Sequence, residues 1–152
     1  MTRNRNSAAH RLLLNKQIAA QSFRLIETGD PVLAARIVAP AFVNREAEDD
    51  PGDAARQQRG PAGFLATATW LRNAFAGLRF EEQVVAAEGN VVVVAATMCG
   101  LHAGTFQGVP ATGKDFSQKQ LHVFWFAAGR IVEHRALRDD LGLLLQLGWR
   151  PA

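Results

Sequence analysis

Up to Gly77 the apolar residues of this chain recur every three or four positions; beyond it they recur every second position. That change of period constrains the fold more than any other feature, because 3.6 is the repeat of a helix face and 2 that of a strand face. Helices gathered first and strands gathered later exclude an alternating βαβ chain and point to an α+β domain. The 152 residues suit one domain, over 1–152, whose core needs neither metal nor disulfide. A curved antiparallel sheet packed by N-terminal helices is expected, with an apolar concavity lined by Phe, Trp, Leu and Val between the layers, where small ligands usually bind.

The helical half divides into three. Ser7 can cap a long helix to Thr28, with Leu14, Ile18 and Leu25 on one stripe, Phe23 and Ile26 widening it, and Gly29 as its stop. Residues 1–6 read as a flexible basic N-terminus. Asp30-Pro31 offers an N-cap and a first-turn proline for a short helix from Val32 to Val38, which Pro40 ends. Residues 41–46 read as extended. Pro61 opens a third helix in which Phe64, Ala68, Leu71 and Phe75 fall at intervals of four, three and four. Between them, residues 46–60 lose all apolar period and gather Glu46, Glu48, Asp49, Asp50 and Asp53 around Pro51-Gly52, as a mobile, solvated loop does. Strands are predicted over Phe80–Glu88, Val91–Phe106, Asp115–Phe126 and Arg130–Arg138, with Gly89-Asn90 as a tight turn and 108–113 as a longer loop. Asp139 to Gly148 reads as a closing helix with a capping aspartate at its start.

Charge and cysteine content exclude several function classes. The net charge of +3 comes from 14 arginines and three lysines scattered along the chain, without a nucleic-acid-binding signature beside them. No apolar run reaches membrane length, and Arg11, Lys16 and Arg24 interrupt any secretory core. Cys99, the only cysteine, continues the apolar run Val91–Met98 and is expected to be buried; it can form no intrachain disulfide, which fits a cytoplasmic protein. Scattered histidines without matched carboxylates imply no metal.

The chemistry concentrates in one hairpin. His122 and His134 lie on the apolar stretches Leu121–Phe126 and Ile131–Leu137, joined by Ala127-Ala128-Gly129. A three-residue loop would place His122 opposite His134 and Gln120 opposite Ala136, on one wall; a two-residue loop would pair His122 with Arg135 and send the histidines to opposite faces. Gly129 in third place favours the first register. Two neighbouring imidazoles disfavour double protonation, so one stays neutral and available as a base. Asn44 and Gln120 can donate to a carbonyl or enolate oxygen. Glu133, of opposite parity to His134, is expected to face away and pair with Arg135 or with a partner subunit.

The segments Gly100-Leu-His102-Ala-Gly104, Phe106 to Lys114, Gln120-Leu-His122, Gly129 to His134, and Asp139 with Gln146-Leu147-Gly148 make the chain resemble the SnoaL-like polyketide cyclases, within the nuclear transport factor 2-like superfamily, from about Asn15 to Gly148. The resemblance implies a cone-shaped fold, a homodimer, and an apolar, carbonyl-bearing small-molecule substrate. It also implies chemistry without metal or organic cofactor: intramolecular aldol cyclisation, in which a last-strand aspartate removes a carbon-bound proton. Asn44, Gln120 and His122 match family pocket positions, and His102 lies in the shared Gly-x-His-x-Gly stretch. The aspartate position, two residues after the histidine equivalent to His134, is Ala136 here. The expected catalytic pair is therefore His122 and His134, with Asn44, Gln120, His102 and Phe124 as substrate-binding residues. Isomerisation or hydration would use the same groups; the alternatives are a cofactor-independent polyketide hydroxylase and a non-catalytic ligand-binding protein. Leu121, Val123 and Trp125 form the expected dimer face.

Overall fold

Each strand after Gly77 hydrogen-bonds to its sequence neighbour, so the second half of the chain winds back and forth as one sheet. The computed structural model describes residues 2–48 and 54–150, the side chains of 2–6 excepted. Its elements are α1 (Thr2–Thr28), α2 (Pro31–Ile37), β1 (Val38–Asn44), a 3-10 turn (Arg45–Ala47), α3 (Pro61–Ala74), β2 (Phe75–Glu88), β3 (Val91–His102), β4 (Asp115–Ala127), β5 (Arg130–Arg138) and α4 (Asp140–Gln146). The sheet order is β1-β5-β4-β3-β2. The expected α+β architecture is present, with one refinement. β2 to β5 are antiparallel, whereas β1 joins the β5 edge in parallel, Asn44 beside His134. The extended segment was legible in the sequence, but its partner depends on where α2 delivers the chain.

The helices cover the concave face of the sheet. On α1 the buried positions are Asn15, Ala19, Ser22, Phe23, Leu25 and Ile26, so Leu25 lies on the inner face as expected while Leu14 is exposed. The inner stripe therefore sits one residue beyond the expected Leu14, and includes two polar side chains. α1 begins at Thr2, ahead of the expected Ser7 cap; Met1 and the side chains of 2–6, which carry the flexible-terminus expectation, lie outside the described residues, as do 49–53 of the expected mobile loop. Asp30 caps α2 as read, its carboxylate accepting from Val32 N at 2.8 Å and Leu33 N at 3.3 Å, and Asp139 caps α4 through Gly142 N at 2.8 Å. Phe75 starts β2 instead of closing the α3 stripe, and β3 ends at His102 rather than Phe106. Cys99 is buried.

β4 alternates without a break: Phe116, Gln118, Gln120, His122, Phe124 and Phe126 are buried, on the face toward the helices. Three of those six inward side chains are polar. A buried polar group is costly unless it is hydrogen-bonded, so this face must carry a bonded network. Among the described residues no helix is long and apolar enough to cross a membrane.

Candidate functional site

β4 and β5 meet through a two-residue turn, not the three-residue loop expected: Ala127 pairs with Arg130, while Ala128 and Gly129 take φ of 48° and 72°, as a type I′ turn requires. On its own that turn would send the two histidines to opposite faces. A bulge returns them to one. Phe126 pairs with Ile131 but Trp125 with Glu133, so Val132 is an extra residue on β5 and every later side chain changes side. His122 then lies opposite Ala136, Phe124 opposite His134, and Gln120 opposite Arg138. The expected direct pairings of His122 with His134 and of Gln120 with Ala136 do not occur. The imidazoles are instead diagonal neighbours on the concave wall, with His122 Nδ1 3.0 Å from His134 Nε2.

Hydrogen bonding orders the protons along this wall. Asp140, in the first turn of α4, accepts from Gln118 Nε2 at 2.8 Å. A carboxylate can only accept, so the Gln118 carbonyl is turned toward Gln120, whose Nε2 donates to it at 2.7 Å. The Gln120 carbonyl in turn accepts from His122 Nε2 at 2.7 Å. His122 thus carries its proton on Nε2, and its Nδ1 lone pair receives the Nε2–H of His134. The run ends at His134 Nδ1, which faces the side-chain oxygen of Asn44 at 3.4 Å and Oε2 of Glu46 at 3.9 Å. Four links, each with one donor and one acceptor, stand between two acceptor-only carboxylates. One junction must be short of a proton, and it falls between His134 Nδ1 and Glu46.

Burial keeps the pair neutral. His122 and His134 are each 7% exposed. Desolvation, then the charge of the other imidazole, pushes His122 down to about 3; desolvation, then the Arg138 and Arg56 guanidiniums, pushes His134 down to about 3. Glu46 acts in the opposite sense on His122. The Glu46 side chain is 8% exposed, and its Oε1 meets Arg138 Nη1 at 2.5 Å and Arg56 Nη2 at 3.3 Å. The Arg56 guanidinium also stands 4.1 Å above the Trp70 ring.

Asn44, Glu46, Gln120, His122, His134 and Arg138 line a cavity between the layers, closed by Phe23, Ile26, Phe64, Leu71, Phe80 and Phe124. Its volume is about 30 Å³, room for a water molecule or two against roughly 300–1,000 Å³ for pockets that take drug-sized ligands. Phe23 stands edge-on to His122 at 4.9 Å, so a larger guest must move α1 or the rings it carries. Of the residue types expected in the lining, Phe and Leu border it and, among the described residues, Trp and Val do not.

The structure brings Asn44, Gln120, His122, Phe124 and His134 onto this cavity and leaves His102 elsewhere. His102 is fully buried at the end of β3, its Nδ1 3.0 Å from Thr112 Oγ1 and its backbone bonded to Gly113 and Lys114; it ties down the loop that returns to β4. Sequence reading missed Glu46, Arg56 and Arg138. Glu46 was hidden by the acidic composition of the segment after it, although it follows Asn44 by two residues at the end of an extended run. Arg138 shares the parity of His134 on β5, which was a usable signal. Glu133 faces away and accepts from Arg135 Nε at 3.0 Å, as read.

A model of the SnoaL-like polyketide cyclase family matches residues 17–147. The aklanonic acid methyl ester cyclase DnrD of Streptomyces peucetius is 38% identical over 102 residues, covering 61% of this chain and 70% of that one. The aklanonic acid methyl ester cyclase AcmA of Streptomyces galilaeus is 31% identical over 140 residues, covering 89% and 92%. The structure of TsrD from Streptomyces laurentii matches with a TM-score of 0.77 at 25% identity, covering 90% of this chain and 96% of that one.

Proposed function

The chain belongs to the SnoaL-like polyketide cyclase family, and from that premise we propose that it closes a ring within an apolar, carbonyl-bearing polyketide by acid/base chemistry, without a cofactor, at the His122–His134 pair. One observation carries the reading: two buried imidazoles, bonded to each other at 3.0 Å and pushed down to about 3, stand neutral at neutral pH on the wall of the cavity between the layers. The pair keeps one nitrogen lone pair, that of His134 Nδ1, without a donor in the resting network, so a group that gains a proton beside it is hydrogen-bonded at once.

The reaction needs no outside reactant. A proton leaves an acidic carbon, the C–H electron pair passes into the neighbouring carbonyl as an enolate, and that carbon attacks a second carbonyl of the same molecule. The displaced π pair becomes an alkoxide, and the proton returns to it. Gln120 spends its amide on Gln118 and Met98, so the donor to the enolate oxygen in this reading is Asn44, whose Nδ2 is held, among the described residues, only by a 3.4 Å bond to Thr67 Oγ1 and whose N–H stabilises the charge when turned to it. Phe23, Phe80 and Phe124 supply ring faces for a flat, apolar substrate. Admission of the substrate goes with displacement of Phe23 and Ile26.

The test is turnover of aklanonic acid methyl ester, the compound for which the relatives are named, by wild type and by His122→Ala. Loss of about 10²-fold or more in the variant supports the assignment; equal turnover removes His122 from the chemistry. Tight binding by wild type without turnover, unchanged in Ala136→Asp, would mark the chain as a carrier that kept the cavity. The active form in this reading is a homodimer joined through the convex side of β4 and β5.

A further inference from the structure

Glu46 is the only carboxylate that borders the cavity among the described residues, and we propose that it is the group that takes the carbon-bound proton. The proposal rests on the ring-closing reading above and names the base for it. Three features place Glu46 there. It is held at 8% exposure by Arg138 and Arg56, which both engage Oε1, and Oε2 is the oxygen nearer the histidine pair, 3.9 Å from His134 Nδ1. It sits at the junction where the hydrogen-bond run from Asp140 is one proton short. And the chain delivers it to the right height: β1 ends at Asn44 beside His134, and the 3-10 turn that follows sets Glu46 between His134 and Arg138, the two inward-facing β5 residues on either side of Ala136, with which it also lines a depression on the far side of the sheet. A carboxylate arriving from the end of β1 therefore occupies the level at which β5 presents only a methyl group.

The proton count closes on this assignment. Glu46 Oε2 takes the proton from carbon and becomes a carboxylic acid. Its O–H then donates to the His134 Nδ1 lone pair, the one link the resting network lacks, so the new acid is hydrogen-bonded as soon as it forms. His134 and His122 stay neutral throughout, each keeping its proton on Nε2. When the alkoxide appears, Glu46 returns the proton to it, and the resting arrangement is restored. The two guanidiniums on Oε1 hold the carboxylate in place during the exchange and set positive charge beside the developing enolate.

The experiment uses aklanonic acid methyl ester in D2O with the full chain, following both ring closure and deuterium uptake at the acidic carbon by NMR, for wild type, Glu46→Gln, Glu46→Asp, and Glu46→Gln combined with Ala136→Asp. Circular dichroism confirms that each variant is folded; because Glu46→Gln leaves two arginines without their carboxylate, the combined variant restores the charge from the neighbouring strand. The expected result is deuterium uptake and closure by wild type, loss of both by about 10²-fold or more in Glu46→Gln, an intermediate rate in Glu46→Asp, and recovery by about 10-fold or more in the combined variant, a part of the roughly 10²–10⁴ that a positioned base contributes. Equal rates in wild type and Glu46→Gln overturn the role of Glu46 and leave the ring-closing reading standing. Loss in Glu46→Gln without recovery in the folded combined variant overturns the claim that a carboxylate at this level is what the reaction needs. Neither uptake nor closure by wild type overturns both.

Discussion

The histidine pair links function to stability at the scale of single residues. An unfolded imidazole takes up its proton near pH 6.5, whereas each of these, buried and neutral, holds out to about 3. Between those values the unfolded chain binds more protons than the folded one, so stability falls as pH falls; above 6.5 neither state gains a proton and the pair contributes no pH dependence. The slope is at most about 1.4 kcal/mol per pH unit for each histidine. Urea unfolding at pH 7, 6 and 5 is expected to show stability dropping progressively, by up to about 3 kcal/mol for the last unit, with the loss largely abolished in the double variant His122→Gln, His134→Asn. A wild type equally stable at pH 7 and pH 5 would show that the pair takes up protons without unfolding.

At the scale of elements, the site depends on how one hairpin sets its register. Residue spacing made the outcome readable only in part. That His122 and His134 share a wall was the favoured reading, and they do share one, but through a two-residue turn corrected by an extra residue at Val132 and not through a three-residue loop. A bulge leaves no mark in a run such as Ile131-Val132-Glu133, where any residue would serve as the extra one; the pairing that selects it is made across the sheet. Glu46 shows the same limit from the other side, since its burial comes from Arg56 and Arg138, distant in sequence. The turn itself makes a testable demand. Ala128 holds φ of 48°, a left-handed conformation that costs an alanine about 1–2 kcal/mol and that asparagine tolerates. Ala128→Asn should therefore raise the melting temperature by roughly 2–4 °C for a stabilisation of about 1 kcal/mol in a chain this long. Calorimetry reads it directly, and an unchanged or lower melting temperature would show that strain at the turn is not limiting.

The order of helices and strands, the α+β class and the covered concave face were legible across the whole molecule because each follows from local period and turn residues. The sequence offered Leu121, Val123 and Trp125 as a dimer face but did not show which β5 side chain stands beside them. The bulge that turns His134 inward also turns Leu137 outward, opposite Leu121 on β4; these two are 76% and 42% exposed. Val123 and Trp125 continue the same face, and Arg135 lies over the Trp125 ring at 5.5 Å. Around this apolar strip stand Arg45 and Arg135 with Glu48 and Glu133, charges of both signs on one surface. A surface of that kind can meet its own copy across a two-fold axis, each arginine of one chain facing a glutamate of the other, and the apolar strip supplies the buried centre that an interface needs. Light scattering at tens of micromolar should accordingly give twice the chain mass. Leu121→Glu with Leu137→Glu places like charges at the centre of that contact and should yield a monomer whose circular dichroism is unchanged, since both side chains point away from the core. A wild type that scatters as a monomer, or a double variant that remains a dimer, would assign the strip no role in assembly.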